Sequence, residues 1–170
     1  MTGVGGRGPS SAGDPPMRDR FSRIVRGPAS RLTWRQLEAL RAVYARGSGV
    51  RGVSLREVAA QLKIQPPSAL AHLGRLEDLG LVRRSRGKSW VTRKGRRCLR
   101  EYQRRHRVAE TLLFQAGLPA EATHDAALEM DLALTPKTVN EVCSAEGHPS
   151  ACPHGFPITH PRRLRLPRSR

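Results

Sequence analysis

Apolar positions repeat at helical spacing through the middle of the chain. Val58 and Leu62 fall on one face of a segment beginning at Leu55, which predicts a helix over 55–61. Ser54 stands just ahead of it with Glu57 three residues on, the spacing of a capping box. Ala69, Leu73 and Leu76 recur at intervals of four and three and predict a second helix over 68–79. Pro66-Pro67 separate the two helices and can open the second, because a first-turn proline lacks only an N–H that would be unpaired anyway. Gly80 ends that helix. Short strands are expected over 81–84 and 89–92, joined by the polar turn Ser85-Arg86-Gly87-Lys88. Two helices and a strand pair in this order make a winged helix-turn-helix.

Upstream, Thr33 can cap a helix over 34–46 with an apolar stripe at Leu37, Leu40, Val43 and Tyr44, and Glu38 beside that stripe. Gly47-Ser48-Gly49 is a turn, and 50–53 leads into the helix-turn-helix. Downstream, a long helix should start near Lys94 or Gly95 and reach Gln115. Its first half is basic. Its second half turns apolar at Val108, Leu112 and Leu113, an expected dimer surface. Gly117 breaks it, and a further helix is expected over 119–134, with His124, Leu128 and Asp131 on one stripe. Pro136 opens another helix through Val139 and Val142, fraying by Gly147. The expected fold is mainly α: a winged helix-turn-helix over 31–94, then a helical dimerisation and metal-binding domain over 95–158. Residues 1–30 and 159–170 read as basic tails without fixed structure, the first carrying Arg18, Arg20, Arg23 and Arg26.

Charge narrows the class of partner. The chain has 170 residues and a formal net charge of +17, which points to a polyanion, most simply double-stranded DNA. No apolar run is long enough to span a membrane, and the N-terminus lacks the apolar core of a secretory signal. Cys98, Cys143 and Cys152 are too few for a disulfide framework and read as reduced thiols of a cytoplasmic protein. No nucleophile–base spacing suggests an enzyme. On the second helix of the motif, Ser68, Ala71, His72 and Arg75 are left facing outward, a small and polar surface suited to the major groove. Arg83, Arg84, Arg86, Lys88 and Arg93 are expected on phosphates.

His106, Glu110 and His124 supply two imidazoles and a carboxylate that can converge on a divalent ion if the helix bearing His124 packs across the first. Asp131 and Glu38 are further carboxylates able to approach. The plainer reading is an i,i+4 polar pair at His106 and Glu110. His148, Cys152 and His154, with Cys143 nearby, form a second candidate cluster, although the C-x-H spacing is tighter than the usual C-x2-C.

The order of elements resembles the metal-dependent transcriptional repressors of the diphtheria toxin repressor type, which include iron and manganese regulators. PPSALAHLGRLEDLGLV, VTRKGRR, HRVAETLL and CPHGFPI carry the likeness, over about residues 31 to 158. The resemblance implies a homodimeric repressor binding an inverted repeat, loaded by Mn2+ or Fe2+. It places His106, Glu110 and His124 at one metal site of the family, Glu38 at the first-helix ligand position and Asp131 at a glutamate. Leu128 and Leu132 depart from it, standing where the family has ligands. The chain reads as a short form without the family's SH3-like domain. Two alternatives to a metal-responsive regulator stay open. One is a winged-helix DNA binder that has lost the metal switch; the other is a sequence-nonspecific architectural protein.

Overall fold

The computed structural model describes residues 32–47 and 51–160. The basic N-terminal tail, the Ser48-Gly49 turn and the end of the C-terminal tail lie outside the described residues. Helix α1 spans Trp34–Arg46. Thr33 and Gln36 cap it reciprocally, the Gln36 amide N–H donating to Thr33 Oγ1 at 3.3 Å and the Thr33 N–H to Gln36 Oε1 at 3.0 Å. Leu37, Leu40 and Val43 are buried as the periodicity requires, but Tyr44 is 52% exposed. Ala39 and Ala42 fill the other edge of the buried face instead.

Strand β1, Val53–Ser54, has no signal in the sequence. Two residues are too few to set up an alternation. It pairs antiparallel with β3, Lys88–Val91, which also pairs with β2, Val82–Ser85, so the sheet order is β1-β3-β2. The wing strands are offset by one residue from expectation. The reason is the turn: Arg86 and Gly87 alone reverse the chain, with φ of 45° and 71°, so that Ser85 and Lys88 face each other across the ladder. Positive φ at both turn residues matches the right-handed twist of the strands. Between β1 and β2 lie α2, Leu55–Leu62, and α3, Pro66–Asp78. Helix α3 starts at the prolines themselves, two residues earlier than the apolar pattern suggests.

Ser54 and Glu57 form the capping box of α2, with Ser54 N–H and Oγ donating to Glu57 Oε2 at 2.8 and 2.7 Å. These two bonds hold the Glu57 carboxyl at about 2, below its ordinary 4.5. A depressed carboxyl stabilises the fold above its unfolded value, and that contribution is lost as pH falls from about 4.5 through about 2. An NMR titration should find Glu57 protonating near pH 2 and moving back toward 4.5 in Ser54→Ala. An unshifted Glu57 in the native protein would contradict the cap.

Thr92 closes the wing and starts the long helix α4, Arg93–Gln115. Its hydroxyl accepts from Gly95 N–H at 3.0 Å and donates to Gly80 O at 2.7 Å. Gly95 packs directly under the strand entry, where an added Cβ would stand 2.2 Å from Leu81 O. Helix α5 covers Ala120–Met130, shorter than expected at its C-terminal end. Ala133 N–H bonds back only to Met130 O, so the backbone tightens into a turn and Asp131 and Leu132 leave the helix. Thr135 then caps α6, Pro136–Ala145, by accepting from Thr138 N–H at 3.1 Å.

The apolar residues collect in two cores. One holds α1, α2, α3 and the sheet, and includes Cys98, Leu99 and Tyr102 from α4. The other gathers Val108, Val139, Cys143, Cys152 and Ile158. Helix α4 therefore contributes side chains to both. The fold is mainly α, and no helix among the described residues is long and apolar enough to cross a membrane.

Candidate functional site

Helix α4 sets out the first two site residues. His106 and Glu110 are one turn apart and both buried, with His106 Nε2 at 3.1 Å from Glu110 Oε1. Helix α5 packs across α4 and brings His124 Nδ1 to 3.1 Å from the same oxygen and 3.1 Å from His106 Nε2. The third contribution comes from the C-terminal segment. Cys152 N–H bonds to Phe156 O at 3.0 Å and Gly155 N–H to Cys152 O at 2.8 Å, a tight turn that projects His154. His154 Nδ1 then lies 3.3 Å from Glu110 Oε1. Arg107 pins this turn by donating to Pro157 O at 2.6 Å.

Three imidazole nitrogens thus converge on one carboxylate oxygen. Burial alone would raise the Glu110 carboxyl, but hydrogen bonds from Cys152 and His124 and the charges of His106 and His154 overrule it and hold it below its ordinary value. The same arrangement, with burial the larger cause, pushes the Cys152 thiol up.

Asp131 has a different place from the one the stripe suggested. It is fully buried behind His106, 3.0 Å from Nδ1, and accepts a short hydrogen bond from Tyr102 Oη. A carboxylate can only accept, so the His106 Nδ1 carries the proton there and Nε2 is turned toward Glu110 and His124. This is the way a carboxylate behind a histidine fixes the tautomer of a metal ligand. Glu38 is not among the converging residues. It is half-exposed and bonded to Arg41 at 3.0 Å.

The donor set fits a divalent transition metal. Bonds of about 2.1 Å at octahedral or tetrahedral angles separate neighbouring nitrogen and oxygen ligands by about 3.0–3.4 Å, the range in which His106, His124 and His154 stand from Glu110. His106, Glu110 and His124 form one candidate ligand group, and Glu110, Cys152 and His154 another, sharing the carboxylate. The sequence groups Cys152 and His154 with His148 in a separate cluster. The structure divides that cluster, sending Cys152 and His154 to Glu110 and leaving His148 beside Cys143.

In the winged helix-turn-helix, Ser68, Ala71 and Arg75 are exposed on α3, and His72 is half-buried on the same helix. Arg86, Lys88 and Arg93 are exposed. Arg83 lies over the Trp90 ring at 5.0 Å, which stiffens its guanidinium on the wing. Arg84 is held back by Glu77, 3.6 Å away. Cys98, Cys143 and Cys152 are free, buried thiols.

Residues 92–160 match the family model described as the iron dependent repressor, metal binding and dimerisation domain. Among solved structures, a hypothetical protein from Sulfolobus solfataricus is similar at 27% identity and a TM-score of 0.73, over 76% of this chain and 100% of that one. The IdeR of T. acidophilum is similar at 25% identity and a TM-score of 0.56, over 80% of this chain and 63% of its own. A manganese-dependent transcriptional repressor, in complex with manganese, is similar at 26% identity and a TM-score of 0.60, over 79% of this chain and 62% of its own. The chain therefore spans under two thirds of the length of these two regulators. No curated protein matches by sequence. The chain has the fold of the metal-dependent transcriptional regulators of this family.

Proposed function

We propose, from a chain with the fold of the metal-dependent repressors, that this protein is a homodimeric, metal-responsive repressor binding an inverted repeat in duplex DNA. The observation that carries the reading is the convergence of His106, His124 and His154 on Glu110, with Asp131 setting the His106 tautomer. His106, Glu110 and His124 are the core ligands, with Cys152 and His154 completing the set. Asp131 acts through His106 as a positioning residue. Bound there, a divalent ion would supply the positive charge that lets Glu110 hold α4, α5 and the C-terminal turn together. Imidazole, carboxylate and thiol donors rank Fe2+ above Mn2+ in affinity.

The protein's own residues carry the rest. Glu110 and His106 are on the helix whose Cys98, Leu99 and Tyr102 fill the winged-helix core. A change in the setting of α4 therefore reaches α3. Coupling exists only as far as the two settings differ in DNA affinity. Arg75, Ser68, Ala71 and His72 face bases, while Arg83, Arg86, Lys88 and Arg93 hold phosphates that position the heads. Arg84 joins them on release from Glu77.

A second reading has its own support. Leu132, just past α5, packs its apolar side chain against the winged-helix core at a position where the family likeness expects a ligand. Such a contact suits a regulator whose switch is lost.

The test is binding to a duplex from the protein's own upstream region, at fixed salt, in chelator and then with Mn2+, Fe2+ or Zn2+. A metal-dependent gain supports the switch; tight, specific binding unchanged by chelator supports the second reading. Arg75→Ala should weaken cognate binding by about 1–3 kcal/mol while leaving random-duplex binding less affected. Equal loss on both duplexes would remove Arg75 from base recognition.

A further inference from the structure

The second half of the divided cluster has a geometry of its own. Cys143 is fully buried on the last turn of α6. Its Sγ stands 3.6 Å from His148 Nδ1 and 3.6 Å from His160 Nδ1. The sequence places His160 in the C-terminal tail, yet the chain returns it to this helix end.

The protons on this cluster are constrained. His160 Nε2 lies 3.1 Å from Pro149 O, and a carbonyl oxygen only accepts. Nε2 therefore carries the ring proton, and Nδ1 presents its lone pair to Cys143. The Cys143 thiol can donate to that lone pair, and His148 Nδ1 faces the same sulfur. The backbone is also set for this meeting. His148 adopts φ of 56°, a left-handed conformation uncommon for a residue with a side chain, directly after Gly147 at φ of 72°. Its N–H bonds to Cys143 O at 2.8 Å, which folds the ring back over the helix end.

We propose that Cys143, His148 and His160 form a second metal site, separate from the one on Glu110, that takes Zn2+ through one thiolate and two imidazoles. Zinc bonds of about 2.3 Å to sulfur and about 2.0 Å to nitrogen, at a tetrahedral angle, put S and N about 3.5 Å apart. Both sulfur–nitrogen pairs here stand at 3.6 Å. The hydrogen bond from His160 to the backbone is the outer contact that orients a zinc-binding imidazole. The C-terminus of α6 adds a dipole that favours a cation. The site ties the end of α6 to the segment that delivers Cys152 and His154 to Glu110. Its role is to hold that segment in place.

Cobalt alone is the probe, on the full chain, because a thiolate bound to Co2+ gives a charge-transfer band. The Cys152→Ser protein silences the thiol of the first site. It should still bind Co2+ with that band, and the band should disappear in Cys143→Ser/Cys152→Ser. His160→Gln/Cys152→Ser should lose about 100-fold in Co2+ affinity, a ligand loss at or beyond the outer-contact range, and it keeps the test open if the double cysteine variant does not fold. Glu110→Ala/Cys152→Ser should retain the band, which separates this site from the first. No thiolate band in Cys152→Ser, or a band that survives loss of Cys143, overturns the proposal.

Discussion

Glu110→Ala is expected to abolish tight metal binding at the first site, lowering affinity by more than the roughly 10–100-fold typical of a lost outer contact. The comparison variant is Asp131→Asn, expected within that range. The difference follows from what each carboxylate touches. Glu110 meets three imidazoles at one oxygen, so its removal takes away the centre of the cluster. Asp131 meets only the far edge of His106 and the Tyr102 hydroxyl. Replacing it with an amide leaves every converging atom in place but loosens the tautomer. Competition titrations with a metal indicator would rank the two, with thermal melts as a check that both variants fold. Equal affinities for wild type and Glu110→Ala would remove the site, and a larger effect from Asp131→Asn would reverse the roles given to the two carboxylates.

Gly95→Ala is expected to destabilise the protein by about 1–3 kcal/mol or more, because the new methyl has no room and the obstacle is largely backbone. Its Cβ would stand 2.2 Å from Leu81 O and 2.7 Å from Val91 Cγ1, on a helix that cannot yield without moving Thr92. Leu81 O accepts the Thr92 N–H at 3.0 Å, so pushing it away also loosens the junction of wing and helix. DNA affinity should fall with stability. Gly74→Ala is the internal control, since nothing lies within 4 Å of its added Cβ. Placed inside α3, it should stabilise by about 0.5–1 kcal/mol. Urea unfolding of the two variants, with metal titration alongside, checks both. A neutral Gly95→Ala would mean the strand entry is looser than its packing requires.

The parts of the fold that were legible in sequence are those set by local chemistry. Thr33 and Ser54 cap helices with their own side chains, Pro66 and Pro136 sit where a missing N–H costs nothing, and Leu73 and Leu76 follow the 3.6-residue period. What escaped was set by distant partners. Val53–Ser54 is a strand only because β3 lies beside it. The end of α5 is decided where Asp131 meets Tyr102 and His106, which no window of sequence contains. The site followed the same division. His106 and Glu110 could be paired from helical spacing, and His124 added on the condition that its helix packs across theirs. Cys152 and His154 could be seen as candidate ligands, but only the tight turn at Gly155 decides that they go to Glu110 while His148 goes to Cys143. His160 gave no signal at all, since its partner carbonyl and thiol are both supplied by the return of the chain.

The matched family unit begins at Thr92, just before α4, and so takes with it the three residues of α4 that complete the other core. Cut there, the winged-helix half would keep its cap, sheet and helix α3, yet lose Cys98, Leu99 and Tyr102 from its floor. A gene fusion joining this head to a foreign partner at residue 92 would inherit an unfilled hollow. A junction placed past Tyr102 would not. Shuffling of such heads between regulators should therefore succeed only where the first turns of the long helix travel with the head.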